Sequence, residues 1–311
     1  KIQHRQAADV RWGDLVRSIG NGTAVSMTNH PFHLPHNAQA AVALDLLAHV
    51  FHEHDAEDLD ASMREAVEWL FGRVDARNRP SATGRLCTNN QRVRSHSAEV
   101  AYNRGAKMRA VLCATNVLKD QWNELVRTML AEDAASHGLP PGRSYHAAVG
   151  AANIGDDSGE HIFAEQALVD DVDIMGRGLD KGLPLNDLRI SVGDTVLLAK
   201  NMCADSGLVK NALFHVKATR AKSIVLEDAQ LQRWTVPRAR FLIKLNHEGT
   251  ISISQKQIPV THAWALTVNK SQGQTCEATL LDLRSKYFEH GQAYTAAGRT
   301  PTAAVTGAFV T

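Results

Sequence analysis

Apolar positions near the start of the chain fall into two stripes. Ala43, Leu46, Leu47, Val50 and Phe51 recur at helical spacing, as do Met63, Ala66, Val67 and Leu70. Each set predicts a helix that buries one face. Ser62 and Glu65 form a capping-box pair for the second helix, while His52 and His54 fall at the solvated end of the first. A strand-turn-helix pattern then occurs twice. It is weak at "RLCTNN" and clear at "AVLCATN", where Trp122, Leu125, Val126 and Met129 stand in helical register behind Thr115 or Asn116, either of which could cap the helix.

From about 135 to 187 the periodicity fades into glycine, proline and acidic residues, which predicts a long irregular connection. The texture then turns to short β-branched runs, "VGDTVLLAKN", "HVKATRA", "SIVLEDA", "RWTVPRARFLI" and "TISISQKQIPV". Turn residues separate them at close spacing, as in a small barrel. After these runs "ATLLDL" has the continuous apolar character of a buried parallel strand. The order predicts an α/β scaffold carrying an inserted small β-barrel.

Composition narrows the function classes. The 311 residues are 44% apolar, enough to close a substantial core, and 34 basic against 33 acidic residues leave a formal charge of +1. Any contact with phosphate must therefore be local. Cys87, Cys113, Cys203 and Cys276 are scattered without C-x-x-C spacing, and the 15 histidines form no metal-binding pattern. Reduced thiols in an intracellular compartment are expected, with no metal site. No stretch approaches the roughly 18 apolar residues that span a bilayer, and the amino-terminal residues lack a secretion signal, so no membrane contact is expected. The chain begins on Lys1 rather than methionine and is expected to be part of a longer protein.

One polar stretch stands out. In "ALTVNKSQGQT", residues 265 to 275, a short helix ended by Gly273 would place Thr267, Lys270 and Ser271 on one face and Trp264 and Val268 on another. Two hydroxyls and an ammonium on one strip suit contact with a nucleic-acid backbone; an ordinary solvated helix face is the alternative.

"IPVTHAWALTVNKSQGQT" resembles the motif A-x-T-x-x-K-S-Q-G-x-T of Pif/RecD-like superfamily-one DNA helicases, particularly those of Helitron transposons. Four further segments, "RQAADVRWGDLVRSIGNGT", "VLCATNVLKDQWNELV", "LRISVGDTVLLAKNMCADSGLVKNALFHV" and "YFEHGQAYTAAGRT", are similar to other motifs of that family in the same order. The resemblance implies the second RecA-like motor domain, of P-loop NTPase type with a parallel sheet. Its segments would be 1–207 and 257–311, with an SH3-like insertion at 208–256 and extra sequence at 72–108. Arg5 and Arg299 match the arginines that reach the ATP phosphates, a role suited to a planar, permanently charged group. Thr267, Asn269, Lys270 and Ser271 would contact single-stranded DNA, with Gln272, Gly273 and Gln274 beside the nucleotide cleft. ATP and Mg²⁺ would be the cofactors, held mostly by a preceding RecA-like domain, because the 311 residues contain no G-x-x-x-x-G-K-[ST] loop.

The implied activity is ATP-dependent 5′ to 3′ unwinding, in DNA repair, recombination, telomere maintenance or Helitron transposition. The nucleus is the expected compartment and the mitochondrion the alternative. These residues alone are expected to be inactive as an ATPase. Departures from the family pattern include Gly298 in place of a serine and Ala212 in place of a turn glycine. The competing reading is a transposon remnant or single-strand-binding module without ATPase activity; an unrelated α/β enzyme would need a nucleophile-base pair or metal cluster that the spacing does not offer.

Overall fold

In the computed structural model the described residues are 9–20, 49–52, 59–75, 81–88, 108–152, 183–228, 230–244, 252–274, 276–285 and 291–310. Outside them lie Arg5, Ala43, Leu46, Leu47, His54, residues 89–107 of the expected extra sequence and 153–182 of the expected irregular connection. The chain divides into two compact units, Lys1–Leu139 with Ala263–Thr311, and Pro140–His262.

The first unit opens with α1 (Val10–Gly20), β1 (His49–His52), α2 (Leu59–Phe71), β2 (Arg73–Val74), β3 (Arg85–Leu86), β4 (Met108–Cys113) and α3 (Asn116–Ser136). The second contains β5 (Arg143–His146), β6 (Ala148–Ala152), β7 (Asp187–Ile190), β8 (Thr195–Leu198) and β9 (Leu213–Thr219). It continues with β10 (Ser223–Glu227), β11 (Arg233–Pro237), β12 (Ala239–Lys244), β13 (Ser252–Gln257) and β14 (Val260–His262). The chain then re-enters the first unit with β15 (Ala265–Thr267), a 3-10 turn at Val268–Ser271, β16 (Cys276–Asp282), α4 (Gln292–Ala297) and β17 (Thr306–Val310).

The first unit is built on a five-stranded sheet in the order β1-β17-β16-β4-β15, with every neighbouring pair parallel. Met63, Val67, Leu70, Trp122, Val126 and Met129 from α2 and α3 pack with Val111, Leu280 and Phe309. Trp12, Leu15, Val16 and Ile19 of α1 and Ala297 of α4 pack with Ala308 and Val310. Adjacent residues of β17 thus serve opposite cores, as the two-residue period of a strand requires, and this is the α/β class expected. At Gly307 the backbone comes so near α2 that an added Cβ would lie 2.8 Å from the Trp69 ring.

Several local expectations are corrected. Val50 and Phe51 belong to an edge strand, not a helix: Val50 packs with the α1 core and Phe51 with the α2–α3 core, so the two neighbours point to opposite faces. His52 ends that strand rather than a helix. Helix α2 begins at Leu59, which places Ser62 inside it instead of at its cap. "RLCTNN" supplies no strand to the main sheet. Its Arg85–Leu86 pairs antiparallel with Arg73–Val74, and Asp133 of α3 anchors the hairpin by accepting from the Leu86 amide and, at 2.9 Å, from Arg73. Part of the expected irregular connection is also ordered, as β5 and β6.

The second unit contains a five-stranded antiparallel sheet, β11-β10-β9-β8-β14, a three-stranded one, β12-β13-β6, and the pair β5-β7. Phe214, Val216, Ile224, Leu226, Val196 and Leu198 form its core with Tyr145, Leu188 and Ile190. Gln257, fully buried, donates to the carbonyls of Tyr145, Leu185 and Asn186 at 2.7–3.0 Å, knitting β13 to the β5–β7 pair. In the turn before β9 the left-handed conformation is taken by Asn211, at φ 67°, so Ala212 does not need the freedom of a glycine.

A pH response follows from this unit. Burial, with Lys217 nearby, holds His215 down at about 4 against an ordinary 6.5, while its Nδ1 lies 3.2 Å from the Thr195 hydroxyl. Burial pushes the Glu227 carboxylate up, but hydrogen bonds from Lys217 and Arg233 outweigh it and hold the group below its ordinary value. An unfolded chain takes up the histidine proton first, so this contribution is complete above pH 6.5 and is lost as pH falls towards 4. The Glu227 contribution is complete above pH 4.5 and is lost as pH falls below it. The thermal midpoint should therefore drop between pH 6.5 and 4, and His215→Gln should flatten that drop; an unchanged slope in differential scanning calorimetry refutes the assignment.

Candidate functional site

The site is set by the short path from β15 to β16. Thr267 ends β15 in register with Cys113 of β4, at the sheet's carboxyl edge, whereas Cys276 opens β16 in register with Met108, at the amino edge. The intervening residues must cross the length of β4, and the polar stretch singled out above lies on that crossing. Beside Thr267, the β4 chain leaves the sheet through Ala114 and Thr115. The Thr115 side chain accepts from the Leu118 amide at 3.3 Å, so Thr115 is the cap of α3.

Val268–Ser271 forms a single 3-10 turn, and Gly273 follows with φ 81°, the left-handed conformation expected of it. Trp264 and Val268 are buried as expected. The expected exposed strip is not continuous. Thr267 and Lys270 are half-buried and Asn269 is exposed, but Ser271 is fully buried, with its hydroxyl donating to the Val268 carbonyl at 2.7 Å. Physically, a 3-10 turn has three residues per turn rather than 3.6, so the fourth residue from Thr267 rotates off the face shared by Thr267 and Lys270. Gln272 is exposed and Gln274 half-buried.

Arg299 meets this turn directly. Its Nε donates to the Thr295 carbonyl at 2.8 Å, and one Nη lies 3.4 Å from each of the Ser271 and Gln274 carbonyls. The Ser271 carbonyl also accepts from the Gln274 amide at 3.0 Å, and the Cys276 amide donates to the Arg299 carbonyl at 3.0 Å. Arg299, Gln272, Gly273 and Gln274 are thus brought together, with Lys270 one residue before Ser271. Placement of the guanidinium depends on three backbone carbonyls, none of which requires a side chain at Gly298. Arg5 lies outside the described residues.

Three neighbours were not singled out by sequence reasoning. Asp9 accepts from the Trp12 amide at 3.0 Å and from the Ala303 amide at 3.1 Å, while Trp12 Nε1 donates to the Thr300 carbonyl at 3.4 Å. The start of α1 is thereby tied to the loop that follows Arg299. Asp282, fully buried, accepts from Trp122 Nε1 at 2.6 Å and from the Arg284 guanidinium at 2.7 and 3.1 Å. Asn123, buried within α3, bonds both the amide and the carbonyl of Ala265 at 3.0 Å. A signal for Asn123 existed, since asparagine is a poor helix former and its place inside an amphipathic helix implies a tertiary partner.

Cys113 is no nucleophile: burial, with Asp282 adding, drives its thiol well above its ordinary value. Among the described residues no group of His, Cys, Asp and Glu side chains could hold a metal ion, and no helix is long and apolar enough to cross a membrane.

No family model matches the chain. Its sequence is similar to "ATP-dependent DNA helicase PIF1" of Danio rerio, 31% identical over 143 residues that make up 42% of this chain and 21% of that protein. The human protein of the same name is 31% identical over 132 residues, 39% of this chain and 19% of that one. "ATP-dependent DNA helicase Pif1" of a Psychrobacter species is 34% identical over 116 residues, 37% and 16% respectively. The matched part thus spans about a fifth of the length of these relatives. Among solved structures, the crystal structure of Pif1 helicase from Candida albicans superposes with a TM-score of 0.53, covering 98% of this chain and 54% of that one at 17% identity, a likeness of fold.

Proposed function

We propose, from the premise that this chain is a Pif1-like superfamily-one helicase sequence, that it forms the second RecA-like motor domain of an ATP-dependent DNA helicase moving 5′ to 3′ on single strands. The observation that carries the proposal is the Arg299 contact with the 271–274 turn. It brings an arginine suited to a phosphate against the backbone of a polar turn suited to a DNA strand.

In the intact enzyme ATP with Mg²⁺ would lie between this domain and a preceding RecA-like domain, which would supply the phosphate-cradling loop and the metal's ligands. Arg299, with Arg5, would stabilise charge developing on the terminal phosphate, and Gln272, Gly273 and Gln274 would border that cleft. Thr267, Asn269 and Lys270 would hold the strand's phosphates, while Ser271, its hydroxyl committed to Val268, would shape the turn that presents them. The β-rich unit, whose strands run from Arg143 to His262, would include the SH3-like insertion expected at 208–256. Repair, recombination, telomere maintenance and Helitron transposition are the settings for such an enzyme, with the nucleus as its compartment.

Fluorescence anisotropy with labelled oligo-dT tests the strand contact. Binding should weaken as salt rises, and Lys270→Ala should reduce the slope of log K against log salt by about 0.7, the value for one lost single-strand phosphate contact. These 311 residues alone should not hydrolyse ATP. DNA-stimulated hydrolysis by them that Arg299→Ala abolishes would overturn that reading. Binding that persists when the preceding domain is joined, with no hydrolysis, would instead favour a strand-binding module.

A further inference from the structure

Among the described residues β15 is the last strand in its sheet, so one side of its backbone faces no further described strand. That side is met by a side chain. Asn123 Oδ1 accepts from the Ala265 amide at 3.0 Å, and Asn123 Nδ2 donates to the Ala265 carbonyl at 3.0 Å and to the Lys119 carbonyl, also at 3.0 Å. A primary amide offers one acceptor and two donors, and here all three are used on backbone groups. The pair of bonds to Ala265 copies what a neighbouring strand would provide. Asn123 is buried, and its side chain is anchored at the other end by its own helix, through Lys119.

The consequence lies downstream. Only Leu266 separates Ala265 from Thr267, and the 3-10 turn carrying Lys270 begins directly after it. The strand before that turn is short, three residues, and among the described strands its hydrogen-bonded neighbour is β4. Without the amide, its outer side would have a buried donor and acceptor unmatched, and the exit angle into the turn would rest on β4 alone.

We propose that Asn123 is a positioning residue for strand binding: by acting as a surrogate strand against Ala265 it fixes the direction in which β15 delivers Thr267 and Lys270 to single-stranded DNA. This rests on the DNA-contact reading above. Asn123 does not itself touch DNA.

A double-mutant cycle tests it, with the 311-residue chain, labelled dT30 as probe, and a temperature at which circular dichroism shows every variant folded. Asn123→Ala should weaken binding about 5- to 10-fold and lower the salt slope as Lys270→Ala does, and the double variant should bind no worse than the weaker single one. Amide hydrogen exchange over residues 265–271 should quicken in Asn123→Ala whether or not DNA is present. If the alanine variant does not fold, Asn123→Gln, which carries the same amide one methylene further out, replaces it in the cycle.

Unchanged affinity, or losses that multiply fully in the double variant, overturn the positioning role. Unchanged exchange overturns the clamp itself. If the wild-type chain shows no salt-dependent binding, the DNA-contact reading fails and the positioning role with it, while exchange still decides whether Asn123 holds the turn.

Discussion

On the proposed motor-domain role, Arg299→Ala, made in a protein that joins a preceding RecA-like domain to these residues, is expected to lower DNA-stimulated ATP turnover by about 10³-fold or more, the range for arginines that reach a transferring phosphate. Affinity for single strands without nucleotide should change far less. The separation matters because Arg299 also bonds the Thr295, Ser271 and Gln274 carbonyls, and its loss would loosen the turn. A purely structural arginine would lower stability and strand affinity together while leaving turnover per folded molecule near normal. Arg299→Lys sharpens the comparison: an ammonium restores a charge but not a planar fork that can serve several acceptors at once. Steady-state kinetics within tenfold of wild type for the alanine variant would remove Arg299 from the catalytic role.

The largest stability effect is expected at Asp282. Its carboxylate is fully buried between Trp122 Nε1 and the Arg284 guanidinium, and that guanidinium lies 4.8 Å from the Phe309 ring and 5.5 Å from the Trp122 ring. Asp282→Ala would leave a buried cation without its partner and an indole N–H without its acceptor, a loss of about 3–5 kcal/mol. Removing the cation as well, in Asp282→Ala with Arg284→Met, should recover part of it, because an apolar side chain has no charge to desolvate. Urea unfolding measures both. A loss below about 1 kcal/mol for the single variant would mean that water reaches the pair, contrary to its burial.

Legibility differed along the chain for physical reasons. The α2 and α3 stripes were readable because each helix buries one face, and β4 and β16 because central parallel strands are apolar on both faces. Val50 and Phe51 misled because a two-residue apolar pair is compatible with either period, and only pairing with β17, more than 250 positions away, decides between them. At the site, the left-handed Gly273 and the burial of Trp264 and Val268 were readable from residue type and spacing. The burial of Ser271 was not, since it depends on a 3-10 rather than an α-helical turn. Asp9 and Asp282 reach Ala303 and Trp122, 294 and 160 positions away, which no local pattern announces, and the place of Asn123 within α3 hinted at a tertiary partner without pointing to Ala265, 142 positions on.

The strand order has a bearing on synthesis. β17 sits between β1, more than 250 positions earlier, and β16. Until residues near 310 emerge from the ribosome, β1 lacks its partner among the described strands and the α1 core lacks Ala308 and Val310. The β-rich unit, whose strands all lie between Arg143 and His262, faces no such wait. The β-rich unit can therefore gain structure before the first unit closes, the slow order expected when contacts span more than 250 positions.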